Sequence, residues 1–259
     1  MKNKTRFIDT VESNILDTIG GTSLLRLKKV TGHIKSNISI FAKMERYNPG
    51  GSVKDRPAME MIRNAEESGI LTKDKIILDS TSGNTGIAYA MIAAVKGYRL
   101  KIVIPENANL ERKRIIAGFG ADMIYSSPFE GADGAITLAK EIYNNSPDTY
   151  YIPDQYNNPS NWKAHYLSTG PELFEQTNGK ITHFIAGVGT GGTIMGTGRA
   201  LKEYNPDIRV IAIQPDDAIH GLEGLKHMES SIIPGIYDME FADSTVYVDT
   251  DSAYDMVKK

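Results

Sequence analysis

Thr182-His183-Phe184-Ile185-Ala186-Gly187-Val188-Gly189-Thr190-Gly191-Gly192-Thr193 decides the fold. The run Thr182 to Ala186 reads as a strand, and the glycine-rich turn that follows opens directly into helix-forming sequence up to Tyr204. Glycines let the backbone approach a ligand closely. Successive N–H groups at a helix N-terminus, with the hydroxyls of Thr190 and Thr193, make a cradle for an anion, and a phosphate is its natural guest. Gly187, Gly189 and Gly192 also satisfy G-x-G-x-x-G, the dinucleotide fingerprint, so a nicotinamide enzyme is a competing reading. That fingerprint needs an acidic residue closing the next strand. Here the strand Arg209 to Ile213 runs into Gln214-Pro215, and Asp216 comes only beyond the proline.

Working outward, the same alternation recurs from Lys75 onward. Lys75 to Leu78, Leu100 to Ile104, Asp122 to Tyr125, Tyr150 to Ile152 and Ile181 to Ala186 read as strands. Helical segments are expected at Gly86 to Val95, Leu110 to Ala117, Asp133 to Tyr143 and Thr193 to Tyr204. Strands alternating with helices predict an α/β fold with mostly parallel sheets, and two series of them predict two lobes. Ligands in such sheets sit beyond the carboxyl ends of the strands.

Two further loops carry chemistry. Asn48-Pro49-Gly50-Gly51-Ser52-Val53-Lys54-Asp55-Arg56 precedes helix-forming sequence from Ala58 to Glu67. Ser52 is a candidate N-cap, which sets Lys54 in the first turn. The positive end of the helix and neighbouring Arg56 would both lower the pKa of that amine and favour attack on an aldehyde. A solvated lysine beside a glycine turn is the alternative. Asp79-Ser80-Thr81-Ser82-Gly83-Asn84-Thr85-Gly86 offers hydroxyls and amides at a helix start, suited to a carboxylate, or simply to capping the helix.

The balance of the 259-residue chain fits small-molecule chemistry. With 29 basic and 32 acidic side chains, it has no general attraction for nucleic acid or an anionic membrane. The absence of cysteine excludes disulfides, thiolate metal sites and a nucleophilic thiol, and the five histidines form no metal motif. A polar N-terminus and the lack of a long apolar run predict a cytoplasmic protein.

Taken together, the three loops resemble the cysteine synthase and cystathionine β-synthase family of fold-type II pyridoxal 5′-phosphate (PLP) enzymes. Ile19-Gly20-Gly21-Thr22, Glu111-Arg112 before Phe119-Gly120-Ala121, and Asp154-Gln155-Tyr156-Asn157-Asn158-Pro159 agree as well. The resemblance implies a two-lobed fold, with residues 46–145 as a smaller mobile lobe and residues 1–45 and 146–259 as a larger lobe holding the cofactor phosphate. It implies that Lys54 carries PLP as a Schiff base and is catalytic, that Asn84 binds the ring hydroxyl, and that Gly189, Thr190, Gly191, Gly192 and Thr193 hold the phosphate. Thr81, Ser82, Gly83, Thr85 and Gln155 would receive the substrate carboxylate.

The implied activity is β-replacement on an activated serine, such as O-acetylserine, by a sulfur nucleophile to give L-cysteine. Homodimerisation and binding of a serine acetyltransferase tail are implied partners. Gly224-Leu225-Lys226-His227-Met228 and Ile233-Pro234-Gly235-Ile236 look like the B-type cysteine synthases, where a cationic pair at Lys226 and His227 suits thiosulfate as donor; an ordinary surface pair is the alternative. Ser23 stands where the family usually has proline, and Asn107-Ala108-Asn109 replaces Thr-Met-Ser near the substrate. The family continues past the position of Lys259 into a Gly- and Ser-rich segment that contacts the pyridine nitrogen, and a chain ending at Lys259 is expected to lack that contact. Condensation of serine with homocysteine, and a non-catalytic binding protein on the same fold, are the other readings.

Overall fold

The computed structural model describes residues 14–35, 37–81 and 83–258. Strands β1 (Leu24–Leu27) and β2 (Ile40–Lys43) form an antiparallel ribbon. Helix α1 (Asp55–Glu67) leads to β3 (Ile76–Ser80), α2 (Asn84–Lys96), β4 (Arg99–Pro105), α3 (Leu110–Gly118), β5 (Asp122–Ser126), α4 (Gly131–Asn145) and β6 (Tyr150–Tyr151). Helix α5 (Ser160–Ala164), a π-helical turn (His165–Thr169) and α6 (Gly170–Gln176) follow. The chain then forms β7 (His183–Gly187), α7 (Gly192–Tyr204), β8 (Arg209–Pro215), β9 (Ser244–Val248) and α8 (Thr250–Val257). The expected α/β architecture is present, as two all-parallel sheets ordered β5-β4-β3-β6 and β7-β8-β9.

Period-two alternation explains how the first sheet is covered. Ile77, Ile102 and Ile104 point into a core with Ala58, Met61 and Ile62 of α1 and Ala88 to Ala93 of α2. Their neighbours Leu78 and Val103 face Ala135 and Ala139 of α4 on the opposite side. Helix α2 is buried along most of its length and stops at Gly97, whose φ of +73° a side chain would disfavour. In the second sheet Phe184, Val210 and Ala212 pack with Ile194, Met195 and Leu201 of α7 and Leu173 of α6. Ile185, pointing the other way, is 56% exposed.

Several expected boundaries move. Helix α2 begins at Asn84 rather than Gly86, and β7 covers His183–Gly187 rather than Ile181–Ala186. Helix α1 begins at Asp55, with Lys54 itself as the capping residue, so Ser52 is not its N-cap. The Ser52 hydroxyl instead accepts from the Lys54 N–H at 3.1 Å and shapes the turn before the helix. The ribbon β1–β2, strand β9 and helix α8 were not foreseen from the sequence.

Candidate active site

Each of the three chemical loops ends at a helix start. The lysine loop is built around a buried carboxylate, Asp55, which accepts from the Gly50 N–H at 2.6 Å. Burial pushes Asp55 up to about 6, against that hydrogen bond and with help from the Glu45 charge. Gly50 lies so close to this carboxylate that an added Cβ would collide with it. Lys54 is half-buried, and loss of solvation lowers its amine below the ordinary lysine value.

Arg56 does not act on Lys54 in the way the sequence suggests. Its side chain is nearly inaccessible and pairs with Glu45 at 2.8 Å and Glu172 at 2.6 Å, with further bonds to Ser168 and Thr22. Burial opposes the Arg56 charge, but the two carboxylates outweigh it and raise its pKa. Glu172, also paired with Lys43 at 2.6 Å, falls to about 2 because Arg56 and Lys43 overcome the cost of its own burial. Arg56 is therefore a structural hub whose charge is neutralised by its partners, and desolvation is what depresses Lys54.

At the hydroxyl loop, α2 is capped by Gly83 with no side-chain cap bond. Thr81 Oγ1 accepts from the Gly83 N–H at 3.2 Å, Asn84 is exposed, and buried Thr85 donates to Gln155 Oε1 at 3.0 Å. Ser82 lies outside the described residues. Asp79, just upstream, is buried with Oδ2 unpartnered; burial raises it to about 7, against the Ser80 N–H and with a contribution from Asp154.

The glycine loop turns into α7 through Gly191, at φ +88°, again without a side-chain cap. The first N–H of the helix, that of Gly192, donates to Thr190 Oγ1 at 3.4 Å, and the rest of the turn opens toward whatever occupies the loop. The loop is held from behind by closely packed backbone: a Cβ on Gly189 would strike the Gly224 carbonyl, and one on Gly192 would strike the Asn161 amide. Lys226 donates its N–H to the Val188 carbonyl at 2.9 Å, and its Nζ lies 5.0 Å from the Tyr156 ring centroid. His227 instead meets Ser230 through Nδ1 at 2.8 Å, so Lys226 and His227 diverge.

Two residues outside the expected set brace the glycine loop. Buried Asn161 donates to the Gln155 carbonyl at 2.6 Å and to Thr190 Oγ1 at 3.0 Å. Buried His165 links Thr169 at 2.9 Å to Thr193 at 3.4 Å. Burial, which outweighs the opposing charges of Glu45 and Glu172, pushes His165 down to about 3 and keeps it neutral. The only sequence signal for Asn161 is its place just beyond the Asp154–Pro159 stretch.

The chain is similar to known proteins over nearly its whole length. Residues 15–259 match the family model described as pyridoxal-phosphate dependent enzyme. A cysteine synthase from Aquifex aeolicus is 53% identical over 241 residues, covering 93% of this chain and 74% of that protein. Cysteine synthase B from Pseudomonas aeruginosa is 40% identical over 95% of this chain and 80% of its own length. The crystal structure of a cysteine synthase from Entamoeba histolytica superposes with a TM-score of 0.93 at 35% identity, covering all of this chain and 78% of that one. The donor set suits the group those relatives imply: a desolvated amine, an uncapped helix N-terminus behind a glycine loop, and an amide at a second helix start.

Proposed function

Since the chain belongs to the cysteine synthase family of pyridoxal-phosphate dependent enzymes, we propose that it replaces the β-substituent of an activated serine, such as O-acetylserine, with a sulfur nucleophile to give L-cysteine. PLP is the cofactor, and when bound it supplies an electron sink for cleavage of the Cα–H bond. The observation that carries the reading is the chain of contacts Thr85–Gln155–Asn161–Thr190, which draws the hydroxyl loop and the glycine loop to one place.

The residues divide the work. Lys54 would hold the cofactor, and its neutral amine would take the Cα proton of the amino acid and later return it. Desolvation suits it to holding the cofactor and to taking the proton, since both need the neutral amine. Gly189, Thr190, Gly191, Gly192 and Thr193 would hold the phosphate, and Asn84 would bind the ring hydroxyl. Thr81, Ser82, Gly83, Thr85 and Gln155 receive the substrate carboxylate, orienting the Cα–H bond toward Lys54. Lys226, whose Nζ lies against the ring of Tyr156, the residue that follows Gln155, favours an anionic donor, thiosulfate as well as sulfide.

Residues 46–145 act as the mobile lobe against residues 1–45 and 146–259, in a homodimer working in the cytoplasm. No helix among the described residues is long and apolar enough to cross a membrane. The carboxylate-binding loop would equally take the C-terminal carboxylate of a serine acetyltransferase tail. The test is product analysis. Protein supplied with O-acetylserine and sulfide should release cysteine and acetate, whereas formation of cystathionine alone from serine and homocysteine would replace this reading with the condensing one.

A further inference from the structure

Arg112 and Glu223, 111 residues apart, form an ion pair that bridges the two walls of the candidate site. Arg112 sits in the first turn of α3, whose N-cap is Asn109. Helix α3 is packed on the hydroxyl loop: a Cβ on Gly86 would stand 3.1 Å from Ile116 Cδ1 and 3.0 Å from Thr81 Cγ2. Glu223 belongs to the other wall. The next residue, Gly224 at φ +85°, presses its carbonyl against Gly189; Leu225 covers Gly187, and Lys226 bonds to Val188.

The walls are thus joined twice, by unlike means. Beneath runs the buried path Thr85–Gln155–Asn161–Thr190. On the outside is the ion pair, with side chains 27% exposed at Arg112 and 71% exposed at Glu223. We infer that Arg112 and Glu223 are positioning residues, a solvent-facing strap that holds the hydroxyl loop toward the glycine loop and parts to admit the amino acid or release product. The inference rests on the assignment of those two loops as the substrate and cofactor walls.

The strength of the contact suits that role. A solvent-exposed ion pair biases an equilibrium by only about 1.5- to 5-fold and is weakened by salt. A buried pair such as Arg56–Glu172 would hold the walls together through every turnover. Glu223 is the partner to change, because Arg112 has further contacts of its own.

The chain's lack of cysteine allows a direct test. Spin labels on Arg114→Cys in α3 and Ile219→Cys, both exposed, report the separation of the walls with or without cofactor. At low salt Glu223→Gln should raise the wider-spaced population about 1.5- to 5-fold. Molar salt should do the same to the parent protein and leave Glu223→Gln unchanged. Amino-acid association, followed in the holoenzyme, should quicken in Glu223→Gln, and Glu223→Asp should restore the salt response. Identical distance distributions in parent and Glu223→Gln, or a salt response that persists in Glu223→Gln, would overturn the strap. Failure of the activity assay with an intact label response would overturn the functional reading and leave the strap standing.

Discussion

At the β3–α2 junction the helix opens on Gly83, and the side chains around it reach across the fold: Thr85 bonds to Gln155, seventy positions away in the chain. At the β7–α7 junction the helix opens on Gly191, and the backbone itself forms the surface, packed so closely on Gly224 and Asn161 that no Cβ fits. Both junctions present to an anion a helix N-terminus that opens on a glycine. The first is assembled from side chains of separate segments and suits a ligand that comes and goes; the second is a preformed backbone cradle and suits one that stays.

Lys54 stands between these two regimes, and its loss should have the largest effect. Lys54→Ala should abolish turnover and leave no cofactor fixed to the chain by borohydride, as read by intact mass. Recovery of the reduced cofactor on another lysine would remove Lys54 from its role. At the glycine loop, Gly191→Asp combines a positive φ, a Cβ 2.8 Å from Tyr237 and a negative charge at a helix N-terminus. It should weaken cofactor retention by about a hundredfold or more, seen as loss of bound PLP on dialysis. Unchanged retention would mean that the cradle holds something else.

The hydroxyl wall should fail differently. Gln155→Ala removes one hydrogen bond to a charged group, worth about 1.5–3 kcal/mol, so amino-acid affinity should fall about tenfold to a hundredfold while cofactor binding is spared. Spectral titration with O-acetylserine measures both. If Gln155→Ala sheds the cofactor but binds amino acid normally after reconstitution, the two walls have been assigned in reverse.

Asp79, at the foot of the same wall, gives the smallest effect. Folding raises its pKa from 3.8 to about 7, so its neutral form is the one the folded chain favours. The stability it allows is complete below the unfolded pKa and is lost as pH rises through the folded one. Between pH 6 and 7 the parent protein should lose about 1 kcal/mol that Asp79→Asn retains, read from urea midpoints. Equal slopes in the two proteins would show that Asp79 is already ionised in the folded state.

The alternation of β-branched runs with helix-forming segments was enough to place β3 to β6 and β7 to β8 and the helices between them, because strand and helix periodicity are local properties of the chain. The glycine loop was legible for the same reason: a turn, a positive φ and a helix start are written within a dozen residues. The ribbon β1–β2 and strand β9 were not, since short strands with mixed exposure carry little periodic signal. A lowered amine pKa at Lys54 could be expected from its loop, but the reason could not. Arg56 looked like its electrostatic neighbour, and only the fold brought Glu45 and Glu172 onto that guanidinium, leaving desolvation to lower the lysine. The sequence by itself determined the α/β class, the family resemblance and the loops that carry chemistry. The tertiary structure decided that Thr85 meets Gln155, that Asn161 and His165 brace the glycine loop, and that Arg112 reaches Glu223. Those contacts join residues 28 to 111 positions apart, and their partners are selected by how sheets and helices pack, which no short window of sequence encodes.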